Sequence, residues 1–297
     1  MNRGLGPNRY AQNSYFQRGV VEVAKEKINE AVANWSLNAI CVADLGCSTG
    51  PNTFVSVQNI IEAIELKYIS KGENIETPKF MVFFNDQLSN DFNTLFISLP
   101  PNRQYFAAGV MGSFYGHLFP KASLHFIHSS YAQQWLSNVP KKLWMNGATQ
   151  FAKDMESFLI AIAQELVIGG LLALFIPAVP DNISKSDIFG GSELDLLGSC
   201  LMDMAEVGLT SEAKVDAFNL LGYFTSPKEL KALIERNQHF NIERMEILNR
   251  VIAKHFANDI MDELFNHYIV KVAEFSFFLN PKADKSIVLF DLLKNNT

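Results

Sequence analysis

Hydrophobic positions along the chain alternate between two rhythms. Val20, Val23, Ala24, Ile28, Ala31 and Val32 recur at helical spacing and predict a helix over 20–35. A continuous apolar run, Ala39–Ala43, then ends on an acid, Asp44, and passes through a glycine turn to Ser48, Thr49 and Pro51. That order predicts a buried strand, a tight turn and a helix start. Ser and Thr cap free N–H groups, and Pro fits just inside a helix. The helix is predicted to run to about Lys67, with a second strand over 80–85. A short helix over 91–99 stops before Pro100-Pro101. The glycine-broken aromatic segment 106–115 predicts a strand leading into a pocket-lining loop, and 123–128 a further strand. An amphipathic helix over 151–166 is expected to end at Gly169-Gly170, with a strand over 171–177.

This alternation is the βαβ rhythm of a mainly parallel sheet covered on both faces, an α/β fold. From about Pro180 the rhythm changes. Segments 194–207, 227–237 and 259–272 predict helices, and 286–290 a returning strand. The chain therefore divides into an α/β core with an N-terminal segment over 1–180, a helical cap over the site at 181–285, and a return strand to the core sheet at 286–297.

Composition narrows the function classes. A net charge of −6 argues against a nucleic-acid partner, which needs a basic face. Three cysteines, Cys41, Cys47 and Cys200, are too few and too scattered for a disulfide framework or a zinc site, and imply a reducing compartment. No secretory leader pattern opens the chain, and no apolar run reaches the roughly 18–20 residues that span a bilayer. The expectation is a cytosolic protein with no membrane partner. The 24 phenylalanines leave aromatic side chains for an apolar pocket.

The chemistry concentrates at the first strand end. Asp44 falls at the carboxyl end of its strand, where open α/β sheets bind ligands. Only Gly46 and Gly50 punctuate the turn, spaced wrongly for a dinucleotide fingerprint. An acid before the first glycine repels phosphate and suits a cationic, donor-rich ligand. S-adenosylmethionine (SAM) meets that description: it carries a sulfonium, an ammonium and ribose hydroxyls, and no phosphate. The second strand also ends on an acid, Asp86, placed to accept hydrogen bonds from ribose hydroxyls.

These motifs resemble the plant SABATH methyltransferases, SAM-dependent enzymes that methylate small carboxylic acids and, in some members, xanthine nitrogens. The resemblance runs almost end to end. Tyr10–Gln17 (YAQNSYFQ) is similar to the family's N-terminal signature, and Ala43–Thr53 (ADLGCSTGPNT) to its SAM loop. Phe84–Asn93 matches its ribose segment, Gly112–Gly116 and Ser129–Ser137 its adenine and substrate loops, and Val215–Asn219 a further motif. The resemblance implies a Rossmann-like SAM-dependent methyltransferase fold with a mostly parallel sheet and a helical cap. It implies that Tyr10, Ser14, Asp44, Gly46, Cys47 and Asn52 surround the methionine part of SAM. Asp86 would take the ribose. Gln87 would lie beside the adenine, and Ser113, Phe114 and Ser130 would complete the adenosine pocket. Gln17 and Trp135 would donate to the substrate carboxylate, with Tyr131 and Gln134 lining the same pocket. Asn146, Asp216, Phe218 and Asn219 match a magnesium site of some relatives. A homodimer is also implied, with S-adenosylhomocysteine (SAH) as the product of the donor.

The chain departs from the family pattern in places. Arg3-Gly4 replaces a glycine pair, His117 stands where Arg is common, and Gln134 where His or Met is common. The stretches 140–151 and 248–252 are short for the family. Three other functions remain open on the residues: N-methylation of a xanthine-like heterocycle, a nicotinamide oxidoreductase, and a non-catalytic ligand receptor. Salicylate, benzoate, jasmonate, farnesoate, indole acetate and iridoid acids are all candidate substrates.

Overall fold

The computed structural model describes residues 14–35, 41–70, 79–138, 143–181, 193–216, 222–248 and 287–294. Among the described residues, seven strands form a single sheet. In chain order the elements are α1 (Tyr15–Asn34), β1 (Cys41–Leu45), α2 (Pro51–Ser70), β2 (Phe80–Asp86), α3 (Phe92–Ile97), β3 (Tyr105–Met111) and β4 (Leu124–Ser130). There follow α4 (Leu143–Glu165), β5 (Leu166–Pro177), α5 (Glu193–Glu206), α6 (Glu212–Asp216), α7 (Pro227–Asn237), β6 (Phe240–Leu248) and β7 (Ile287–Lys294). The strand order is β3-β2-β1-β4-β5-β7-β6. β3, β2, β1, β4 and β5 run parallel, and β7 runs antiparallel to both β5 and β6. The chain builds β1, β2 and β3 outward on one side and then crosses to β4 on the other. The strand order therefore reverses at β1, and the crevice at the carboxyl ends of β1 and β4 is where such sheets take ligands.

The central strands read as unbroken apolar runs because they are covered on both faces. Alternate residues go to opposite faces. Val42, Phe84, Phe126, Leu171 and Phe175 pack with Val57, Ile60 and Ile61 of α2 and Val20, Ile28 and Val32 of α1. Leu45, Ile127, Leu172, Leu174 and Ile176 pack on the other face with Phe151, Met155, Phe158 and Ile162 of α4 and Leu230 and Ile234 of α7.

Helix starts follow their local signals. Asp91 caps α3 by accepting from the Thr94 N–H at 3.0 Å. Ser226 and Glu229 form a reciprocal capping box at the start of α7, with Pro227 in the first turn. Ser226→Ala is expected to cost about 1 kcal/mol. A urea melt should show a lower midpoint at unchanged slope, and an unshifted midpoint would refute the cap's contribution.

Three elements differ from the sequence expectation. α4 begins at Leu143, earlier than 151. It hands over to β5 directly, Glu165 to Leu166, so Gly169-Gly170 lies within the strand rather than ending the helix. Leu124 pairs with Leu166, but the next pair is Phe126 with Leu171, a register shift. Gly169 absorbs it with φ of 73°. A left-handed glycine marks a bulge here. The third difference is β6, a strand at the sheet edge within the stretch assigned to helices. Its alternation (FNIE, then MEI) is broken by a register shift between Ile242 and Arg244. The predicted helix over 259–272 lies outside the described residues. Among the described residues, no helix is long and apolar enough to cross a membrane.

Candidate functional site

Three strand ends converge at the crevice, and Asn85 ties them together. Its carbonyl accepts the Gly46 and Cys47 N–H groups at 2.9 and 3.0 Å. Its side-chain nitrogen donates to Val110 O at 2.8 Å and Gly112 O at 3.1 Å. The β1–α2 turn is therefore clamped to β2 and β3. Gly46 sits at φ 79°. A Cβ there would come within 2.5 Å of the Ala132 Cβ, so conformation and space both require glycine. Asn90 closes the turn by donating to Ser48 O at 3.0 Å.

The two strand-end acids have different surroundings. Asp86 accepts the Ser48 N–H on one oxygen and the Gln87 N–H on the other, each at 2.7 Å. Each oxygen keeps lone-pair capacity for a further donor. Burial pushes the Asp86 carboxyl above the usual carboxylate range, against the pull of those two N–H bonds. Asp44 is bonded on both oxygens too, but by side chains rather than backbone N–H groups. His128 Nδ1 lies 2.7 Å from Oδ1, and the Thr53 hydroxyl donates to Oδ2. His128 is 2% exposed and its ring lies 5.5 Å from that of Phe175. Asp44 and His128 face each other because β1 and β4 pair in that register.

Asn52, in the first turn of α2, donates to the Ser14 carbonyl and hydroxyl, both at 3.0 Å. That bond pins the start of α1 to the turn, and both residues are buried. One turn along α1, the partly buried Gln17 places its Oε1 out of solvent with no hydrogen-bond partner among the described residues. Cys47 is buried, and burial, followed by the charges of Asp44 and Asp86, pushes its thiol well up, which makes it inert packing.

β4 leads into the segment 131–137, which is held on several sides. Tyr131 takes φ 56° and donates its N–H to Phe175 O at 2.9 Å. Ser129 Oγ donates to Leu45 O at 2.6 Å and accepts from Gln133 Nε2 at 2.6 Å. Gln134 is buried and donates through Nε2 to Tyr131 O at 2.8 Å, while its own carbonyl accepts the Tyr223 N–H at 2.8 Å. Trp135 is half-buried and bridges the backbone of Gly222. Asp154 of α4 accepts the Ser137 N–H and hydroxyl at 2.8 and 2.6 Å.

The structure thus gathers Ser14, Asp44, Gly46, Cys47, Asn52 and Asp86 around one turn. Gln87 follows Asp86 and is exposed. Ser113 and Phe114 lie just past β3, Ser113 exposed and Phe114 buried against Phe158. Ser130 ends β4. Tyr10, Phe218 and Asn219 lie outside the described residues. Asn146 and Asp216 are exposed, on α4 and at the end of α6. Among the described residues, no group of three or more His, Cys, Asp or Glu is arranged to hold a metal. Sequence reasoning missed His128, Asn85 and Tyr115. A histidine closing an apolar strand beside an acid-ended strand was the available signal for His128.

The chain resembles known proteins along its length. The family described as SAM dependent carboxyl methyltransferase matches residues 1–149 and 146–251. Loganic acid O-methyltransferase of Catharanthus roseus is 38% identical, over 99% of this chain and 93% of its own. That alignment extends over 349 residues against the 297 of this chain, so the relative carries segments that this chain lacks. Farnesoic acid carboxyl-O-methyltransferase of Arabidopsis thaliana is 44% identical over 82% of this chain and 77% of its own. A solved structure of loganic acid methyltransferase with SAH superposes with a TM-score of 0.84 at 37% identity, covering 100% of this chain and 99% of the other. The match over nearly the whole chain, in sequence and in fold, makes this protein a member of the SAM-dependent carboxyl methyltransferases, the SABATH family.

Proposed function

We propose that the protein esterifies a small carboxylic acid with an apolar or aromatic body, taking the methyl group from SAM and releasing SAH. The observation that carries this is Asp86. It is a buried strand-end carboxylate with lone pairs to spare, on a surface where residues 41–54 and 80–99 include no Lys or Arg. Such a surface fits a cationic nucleoside without phosphate. The relatives named for loganic and farnesoic acids support a carboxylate acceptor.

SAM, when bound, supplies an electrophilic methyl on a sulfonium. Asp86 would take the ribose hydroxyls, with Ser113, Phe114, Gln87 and Ser130 around the adenine. Tyr10, Ser14, Gly46, Cys47 and Asn52 would enclose the methionine part. Asp44 would stand with them beside the methionine part, at the base of the turn. Gln17 and Trp135 would orient one carboxylate oxygen, with Tyr131 and Gln134 lining the acid pocket. A carboxylate is already ionised at neutral pH, since its pKa lies near ~4, so no general base is required. Neutral donors hold the anion without blunting its attack. Alignment of this kind supplies up to roughly 7–11 kcal/mol.

The free thiols Cys41, Cys47 and Cys200 support a cytosolic setting. We also infer a homodimer from the family resemblance; light scattering at the monomer mass would refute it. The reading of 181–285 as a cap over the acid pocket rests on the same resemblance.

The deciding experiment incubates the protein with labelled SAM and each of salicylate, benzoate, jasmonate, farnesoate, indole acetate, loganic acid and xanthine, and identifies products by mass spectrometry. A methyl ester is expected. N-methylxanthine alone, or SAH binding with no product, would overturn the proposal. Trp135→Ala should lower kcat/KM roughly 100-fold, the scale of a lost alignment. SAH affinity should stay within about twofold, because the lost contact is to the acid. An unchanged rate would remove Trp135 from the mechanism.

A further inference from the structure

Tyr115 belongs to the loop after β3, yet its hydroxyl ends on a different loop. It donates to Trp135 O at 2.7 Å, with Gln133 O sharing the proton at 3.2 Å. The Tyr115 ring is held from its own side. It packs at a tilt against Phe114 with centroids 4.8 Å apart, and Phe114 in turn packs edge-on against Phe158 of α4 at 5.8 Å. A tight turn sets its backbone: the Gly116 N–H donates to Ser113 O at 3.2 Å, and the Tyr115 N–H to Ser113 Oγ at 3.4 Å. Any ligand that fixes Ser113 and Phe114 therefore fixes Tyr115, and with it the carbonyl of Trp135. The far side of the 131–137 loop is anchored separately, through Ser137 to Asp154.

We infer that Tyr115 is a positioning residue that couples the cofactor half of the site to the acid half: an adenosine group seated against Ser113 and Phe114 sets the Trp135 loop through the Tyr115 hydroxyl. This rests on the proposed placement of adenosine at Ser113–Phe114 and of the acid at Trp135. Cofactor occupancy thereby builds the acid pocket, and cofactor binding precedes productive acid binding. The polar link is a single hydroxyl shared by two carbonyls of the facing loop, so Tyr115→Phe removes it while leaving the apolar packing of both halves in place.

Hydrogen exchange read by mass spectrometry on the full chain, with and without saturating SAH, tests this. The amides of Trp135 and Ser137 are bonded to Ala132 O and Asp154 Oδ2, which makes their opening measurable. In the wild type, SAH should slow exchange in both 110–118 and 133–138, the latter by about fivefold or more, the low end of ordinary site-to-site coupling. In Tyr115→Phe, SAH should still protect 110–118, while 133–138 exchanges at its unliganded rate. Ser137→Ala, which loosens the same loop from its other anchor, should keep the transmitted protection. Equal transmission in Tyr115→Phe, or its loss in both variants alike, would overturn the inference. If SAH protects neither segment of the wild type and leaves its melting temperature unmoved, the cofactor assignment itself fails. Binding that melts higher and protects only 110–118 in the wild type sinks the coupling alone.

Discussion

Asp86→Ala is expected to weaken SAH binding by roughly 100-fold, about 3 kcal/mol, the scale of a lost pair of charge-assisted hydrogen bonds. The carboxylate is 7% exposed, and its hydrogen-bond partners among the described residues are two backbone N–H groups, one on each oxygen. Each oxygen keeps capacity for a ribose hydroxyl. Its removal should not unfold the protein. Burial raises its pKa, so the folded state disfavours the charged form. Between the unfolded and folded pKa values the native state binds more protons, and stability contributed by this group falls as pH rises. Losing the two N–H bonds is therefore offset by losing a penalised charge. Calorimetry with SAH, alongside a thermal melt, separates the effects: a folded variant that binds SAH as tightly as the wild type would exclude Asp86 from the cofactor site. The same raised pKa predicts that SAH affinity declines on acidification at a higher pH than an exposed aspartate would give.

His128→Leu is expected to destabilise the fold by about 3–5 kcal/mol, because it strips a partner from a buried carboxylate. Asp44 is 4% exposed, so water cannot replace the lost bond, and the Thr53 hydroxyl remains its partner on the other oxygen. For a chain of this size the melting temperature should fall by roughly 6–10 °C. Adding Asp44→Asn removes the stranded charge and should recover more than half of the loss. A melting temperature within about 2 °C of the wild type in the single variant would show that the pair contributes nothing net. The pair stands at the base of the β1–α2 turn, so its loss should also loosen the turn that carries Gly46 and Ser48.

Much of the site could be seen in one dimension. Asp86 was recognisable because a strand ending on an acid is a local pattern, and the structure leaves that carboxylate with unused capacity. Asp44 was recognisable in the same way as a position, but not in its surroundings. Its partner His128 lies 84 residues away and meets it only through strand pairing. The bond between Tyr115 and Trp135 likewise joins two loops whose sequences carry no sign of each other.

The alternation of apolar and polar residues by itself determined the α/β class, the parallel core strands and the acid-tipped turn, because side-chain periodicity and turn chemistry are written into neighbouring residues. Gly169 shows where that ends: a glycine pair after a helix has the same local meaning whether it stops the helix or bulges a strand, and only the shift between Leu124 and Phe126 in β4's pairing decided for the bulge. β6 escaped notice for the same reason, its alternation broken where its register slips against β7. What tertiary structure alone decided was partnership: which acid meets a histidine, which accepts backbone N–H groups, and which loop steadies the tryptophan. Those outcomes depend on strand register and on loops meeting across the crevice, distances that no local window of the chain contains.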